Sequence, residues 1–577
     1  MKWWKTSGKM KKLSKGFLKI SSFLILLLIL KNSFADEPYS EIFSTMEKEM
    51  KKNLQMLKLK DYEKPYFIAY RLVEVKKFDI SAKFGSIIYD EPSNYRVVYV
   101  ETRYGSYFLD NTSDAGYSGG FNDYEGYSTL APLDDDLDVL KHRFWLLTEV
   151  SYKKAVSDYY NKKARRVIKV QEDEDVPDFS KEKRVVYMGK EKPFTLDRDA
   201  WKEKLKRISK IFRNYEDIVD SEVRMSAEQE TRFFINSEGT KTFTQNTYYY
   251  IKIRASTLSE DGMPLTNFKS YFEIYEEKLP SEEELINSAK EVAEKLLELR
   301  KAPEMEPYTG PAILSPEAAG VLFHEVIGHR LEGERQRSPA EGMTFKNKIG
   351  EKILPDFLTV IDDPTLKEEN GKALSGYYEI DDEGVPAQKV VLVENGILKN
   401  FLLSRRPVKG FKNSNGHGRA DENSKPMARM GNLIVRSSKT YPVEVLEKML
   451  LELLKEKGKE FGFIIDHVEG GETNTSRYGF QAFKGTPVLV YKIYAKDGRK
   501  ELVRGVDIVG TPLAILDKII ATSDTYGVFN GVCGAESGFI PVSTVAPAIL
   551  VSEIELQKKS VEKKRGFILK PEWKNRR

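Results

Sequence analysis

A chain of 577 residues, 40% hydrophobic and 31% charged, is long enough for two or more domains and has a composition that excludes a disordered or fibrous protein. Its 92 Lys and Arg against 88 Asp and Glu exclude a nucleic-acid surface built on bulk positive charge. A single cysteine, Cys533, excludes an internal disulfide.

Residues 1–35 have the form of a secretory signal peptide. Lysines from Lys2 to Lys19 form a basic start, Phe23–Leu30 is an unbroken apolar run, and Ser33 and Ala35 flank a cleavage point before Asp36. The run falls short of the about 20 residues of a comfortable membrane span, so no stable span is expected after cleavage. An uncleaved anchor is the alternative. Removal of the eight lysines in this segment leaves 84 basic against 88 acidic residues, a net charge of −4. The expected location is therefore outside the cytoplasm, periplasmic or secreted.

From residue 36 to 301 the pattern predicts an α+β domain. Ile42, Met46, Met50, Leu54 and Leu57 have helical spacing, in a segment that Pro65 closes. Alternating runs rich in Tyr, Val and Ile predict strands over 66–75, 78–89 and 95–109. A Gly/Ser/Asn/Asp-rich loop covers 110–137, a long helix 138–166, an exposed charged connection 169–192 and a further helix 197–214. Strands are expected at 221–226, 230–236, 240–258 and 268–275, with a hairpin turn at Asn236–Thr240. Ser281 caps a helix that runs to about Arg300.

Residues 302–577 read as a second, mainly β domain with an embedded helix. A strand at 312–314 leads to Ser315 as helix cap and Pro316 in the first turn. Short strands are expected at 358–361, 376–379, 389–394, 397–403, 433–436, 461–468, 487–494, 500–509, 531–533 and 549–555, with helices at 443–457 and 512–520. The helix after Pro316 carries His324-Glu325-Val326-Ile327-Gly328-His329, which holds two of the five histidines in the chain. Two imidazoles and a carboxylate are the groups that hold a divalent metal and activate water on it. Five residues of ideal helix turn through about 500°, leaving the rings about 140° apart. Convergence therefore demands a distorted helix, and Gly328 is where a π-bulge or a terminal turn is expected.

Five segments occur in sequence: HEVIGHRLEGE (324–334), YYEIDDEGVPAQ (377–388), KPMARMGNLIV (425–435), RGVDIVGTPLAILDKI (504–519) and CGAESGFIPVSTVAPAILV (533–551). In them the chain resembles the TldD/PmbA family of zinc metallopeptidases, on the metal-bearing TldD side, as an exported variant. The resemblance implies that His324, His329 and Cys533 ligate Zn²⁺ and that Glu325 is the general base of peptide hydrolysis. It also implies a dimer, with a second copy or a metal-free paralogue, that admits unfolded or short peptides. The alternative is a non-catalytic partner or scaffold subunit.

The remaining candidates keep two readings each. Glu332 orients an imidazole from the second coordination layer or is a surface carboxylate. His417, in a glycine-rich loop, touches substrate or is solvated. Arg504 binds a substrate carboxylate or forms an internal ion pair. Asp381, Asp382 and Glu383 form a hairpin turn or a metal loop. His142 and His467 carry no supporting context.

Overall fold

The computed structural model describes residues 40–113, 127–168, 175–478, 482–566 and 569. The expected signal peptide lies outside them, and among them no helix is long and apolar enough to cross a membrane.

The first half is built on one seven-stranded sheet. Its spine is the strand Phe67–Lys83, paired antiparallel with Ser86–Arg103 on one side and Asp220–Asn236 on the other. Lys241–Leu258 follows through the expected hairpin, where Gly239 takes φ +91°. Pro264–Glu273 adds to Lys241–Leu258 and keeps its other edge without a strand partner among the described residues. Ser40–Met56 and Leu137–Ile168 pack Ile42, Phe43, Met46 and Phe144 against Tyr70, Leu72 and Val98. Arg198–Lys210 and Glu282–Lys301 pack Trp201, Leu205, Leu285 and Leu296 against Val223, Ile251 and Ile253. Ser281 completes its capping box with Glu284.

Three expectations need correction. The first helix ends at Met56, well before Pro65. The expected loop 110–137 contains a short strand, Tyr127–Ala131, on the sheet edge. The expected exposed connection is buried over part of its length, because Asp178 is fully enclosed and paired with Lys162 and Arg337. A carboxylate among cations is held in the interior by its partners, which local composition does not reveal.

The second half carries a twelve-stranded sheet. Within it Tyr308–Leu314, Phe461–Thr473, Phe483–Tyr494, Val506–Gly510 and Gly538–Lys558 pair in a closed ring. Here the strands outrun the sequence reading: Ile519–Ala535 and Gly538–Lys558 form one long hairpin. The expected strand at 376–379 is absent; Gly376 instead passes so close to Gly431 that an added Cβ would lie 2.1 Å from the Gly431 carbonyl oxygen. The helix Pro316–Phe323 is buried against this sheet, with Ala318, Ala319, Leu322 and Phe323 in the main core. Arginines join the halves: Arg71 donates to the carbonyls of Asp421 and Ser424, and Arg405 to that of Ser180 and to Glu238.

Candidate metal centre

Ser315 accepts from Ala318 N and Pro316 occupies the first turn, so the helix starts where the sequence places it. At His324 its winding changes. Residues His324–Gly328 form one π turn, in which His329 N–H donates to His324 O, and His329–Leu331 tighten into a 3₁₀ turn. One residue is thereby inserted into the helical repeat, which brings the i and i+5 imidazoles together with ring centroids 5.0 Å apart and planes at 84°. The carbonyls of Glu325 and Val326 near the helix end accept from the Arg330 guanidinium.

Gly328 is in the bulge for a different reason from the one expected. Its φ −54° and ψ −56° are ordinary helical values. What requires glycine is space, since an added Cβ would sit 2.2 Å from Met430 Sδ.

Cys533 arrives from the hairpin, paired across it with Ile540 two residues before the pairing ends at Ala535, and shares a small buried cluster with Ile540 and Val542. Its Sγ lies 3.3 Å from His324 Nε2 and 3.4 Å from His329 Nε2. The three donor atoms lie within 4.8 Å of one another and all three residues are buried. Two nitrogens and a sulfur around a tetrahedral zinc, at about 2.0–2.1 and 2.3 Å, are separated by about 3.5 Å along each N···S edge. The donor set therefore fits zinc in both spacing and softness.

The charges fit as well. Burial opposes ionisation of the Cys533 thiol, but His329, His324 and Arg429 outweigh it and hold the thiol well below its ordinary value. Burial would lower His329, yet Cys533 and Glu332 raise it to about 10. Glu332 is fully enclosed, 3.2 Å from His329 Nδ1 and 2.6 Å from Arg335 Nε. By accepting a hydrogen bond from Nδ1–H it fixes the ring with Nε2 directed at Cys533 Sγ. Burial works against its charge too, but Arg335 and His329 bring it down to about 2.

The three donors and Glu325 open on one cleft of about 1660 Å³ between the two halves, whose far wall includes Tyr248, Tyr250 and Phe272. Among the described residues no group hydrogen-bonds the Glu325 carboxylate. Gly470 and Gly471 run beside it: a Cβ on Gly471 would come within 2.8 Å of Glu325 Cγ. Beyond Ile465 this strand has lost its neighbour Tyr308–Leu314, so among the described residues 467–473 pair on one side only, and their other edge lies along the cleft.

All but one of the other candidates lie elsewhere. His417 is fully buried, with Nε2 3.2 Å from Asp362 Oδ1 and Nδ1 beside Asn415, so it touches neither solvent nor the cleft. Arg504 donates to Ala302 O and pairs with Asp261, joining the two halves away from the cleft. Asp381 accepts from Glu383 N, Val385 N and Gly418 N, the pattern of a turn. His467 lines the cleft, against Phe268 and 3.3 Å from Glu317. Arg335, Arg429 and Glu536, which tie the metal segment to the cysteine hairpin, were not singled out by sequence reasoning. The available signal was that Arg429 and Glu536 fall inside the segments 425–435 and 533–551.

Residues 307–558 match a family model described as the PmbA/TldA metallopeptidase C-terminal domain. A metalloprotease of Methanocaldococcus jannaschii is 32% identical over 259 residues, 44% of this chain and 52% of that protein. A zinc metalloprotease TldD homolog of Saccharolobus solfataricus is 28% identical over 249 residues, 43% of this chain and 51% of its own length. The chain thus spans about half the length of the curated relatives it matches. The crystal structure of TldE from Thermococcus kodakarensis superposes with a TM-score of 0.59 at 15% identity, covering 89% of this chain and all of that one. That likeness is one of fold.

Proposed function

We propose that this chain, whose residues 307–558 match the PmbA/TldA metallopeptidase C-terminal domain model, is a zinc-dependent peptidase acting on unfolded or short peptides. The observation that carries this reading is the convergence of His324, His329 and Cys533 at the end of a π-bulged helix that opens on a cleft. Zinc held by the two Nε2 atoms and the thiolate would supply Lewis-acid activation of water and of the scissile carbonyl.

The chain's own residues supply the rest. Glu325, with its carboxylate unbonded in the cleft, takes the proton from the attacking water and returns it to the leaving amine. Glu332 keeps the His329 ring in its ligating orientation. The unpaired edge at 467–473 receives an extended peptide as an added strand and sets its backbone beside Glu325. Pairing along that edge requires a free extended segment, which an unfolded or short peptide supplies and a folded protein does not. An intact donor set argues against a purely structural subunit. The protein acts as a dimer, with a copy of itself or a paralogue, outside the cytoplasm; a monomer in sedimentation would count against the first point.

The test is Glu325→Ala. Zinc content should stay at the wild-type level while peptide cleavage falls by about 10²–10⁴-fold. An equally active variant, or a wild-type protein that cleaves no unfolded peptide with zinc bound, removes the reading.

A further inference from the structure

Two of the three donors are covalently close, but Cys533 comes from 204 residues away at the tip of a hairpin. Apolar packing at that tip is slight. Its buried apolar side chains are the small cluster Cys533, Ile540 and Val542, and Val532 on the other face is 67% exposed. A metal site needs its donors placed to within about 0.2 Å, so something else must fix the turn.

Arg429 is fully buried beneath it. Its Nη2 donates to Cys533 O at 2.7 Å, and its Nη1 to Ser537 Oγ at 2.9 Å and Gly538 O at 3.3 Å. The same guanidinium lies 3.6 Å from Glu332 Oε1, the atom that faces His329 Nδ1. On the other oxygen of Glu332 sits Arg335 Nε, and the Arg335 fork reaches both oxygens of Glu536 in the turn at 3.0 Å each. One buried carboxylate is thus shared by the histidine ligand and by two guanidiniums, each bonded to the turn that carries the cysteine ligand. Planar forks with several fixed donors suit this task, whereas a lysine ammonium offers a single point of attachment.

We infer that Arg429 and Arg335, joined through Glu332, are positioning residues that lock the Cys533 turn in register with His329, so that the third donor is in place before metal arrives. The clamp stands on geometry alone; its consequence for zinc rests on the peptidase reading above.

The experiment compares hydrogen–deuterium exchange of metal-stripped wild-type protein and Arg429→Lys over residues 528–542, followed by zinc titration against a chelator and cobalt(II) absorption. The wild-type turn should be protected without metal. Arg429→Lys should exchange there about ten-fold faster or more, with the first-half sheet unchanged. Its zinc affinity should fall about 10–100-fold, with a weakened thiolate–cobalt charge-transfer band, a change that general loss of stability does not produce. Glu536→Gln and Ser537→Ala each remove one attachment of the turn and carry the test if Arg429→Lys does not fold; each should accelerate exchange at the turn. Wild-type exchange rates in these variants would overturn the clamp. Failure of the wild type to bind zinc or cobalt would instead overturn the proposed function, and the exchange comparison would still decide the clamp.

Discussion

Replacing Gly328 by alanine opposes two effects of known sign. The residue has helical dihedrals, so by propensity alone alanine should stabilise the segment by about 1 kcal/mol. The new methyl, however, would lie 2.2 Å from Met430 Sδ, 3.1 Å from Met430 Cε and 3.3 Å from Leu433 Cδ2. Comfortable heavy-atom contacts begin at about 3.5 Å, so Met430 must retreat by more than an ångström. It is 1% exposed and Leu433 is fully buried, which leaves no solvent to retreat into. Overpacking of this kind costs about 1–3 kcal/mol, and the severity of the sulfur contact puts the cost toward the upper end. The expected net loss is about 1–2 kcal/mol, read as a lower urea midpoint of the metal-free protein. Because His329 is the next residue, zinc affinity should fall as well. Combining the change with Met430→Ala should recover about 1 kcal/mol or more relative to the sum of the single variants, since the two share one space. A Gly328→Ala protein more stable than wild type, with unchanged zinc affinity, would refute the account of why glycine stands in the bulge.

Glu332 adds a pH signature. Its folded-state value of about 2 lies below the ordinary 4.5, so its contribution is complete above about 4.5 and is lost as pH falls through about 2. Glu332→Gln should destabilise the metal-free protein by at most about 3 kcal/mol at neutral pH, and the gap to wild type should close in acid; a gap independent of pH would show that the charge is not what matters. Expression with the first 35 residues in an exporting host should yield a mature amino terminus at Asp36, read by N-terminal sequencing; an intact Met1 terminus in a membrane fraction would support the anchor instead.

What was legible in the sequence was local or periodic. The spacing of His324 and His329 conflicts with an ideal helix, and the π turn at His324–Gly328 resolves that conflict by inserting one residue. Ser281 and Ser315 cap the helices they precede because capping chemistry is contained within four residues. What escaped depends on contacts made far along the chain. Gly328 suggested backbone freedom, yet its role is set by Met430, about a hundred residues later. Asp178 looked exposed because its cation Arg337 lies in the other half. His417 was read as touching substrate or solvated and is instead buried against Asp362, while of the two readings of Arg504 the fold shows the internal ion pair, with Asp261. Cys533 was found through its motif; the two arginines that hold its turn carry no local pattern, because a buried guanidinium is defined by the carbonyls around it. The hairpin Ile519–Lys558 was read as fragments, since Thr, Ser, Asp and Gly interrupt strand propensity where long-range pairing sustains it.

The most direct test of the metal centre is zinc-edge X-ray absorption on the wild-type protein beside Cys533→Ser. The account predicts one zinc per chain with nitrogen scatterers at about 2.0–2.1 Å and a single sulfur at about 2.3 Å, the sulfur shell vanishing in the variant. A wild-type spectrum without sulfur, or one that Cys533→Ser leaves unchanged, would contradict it.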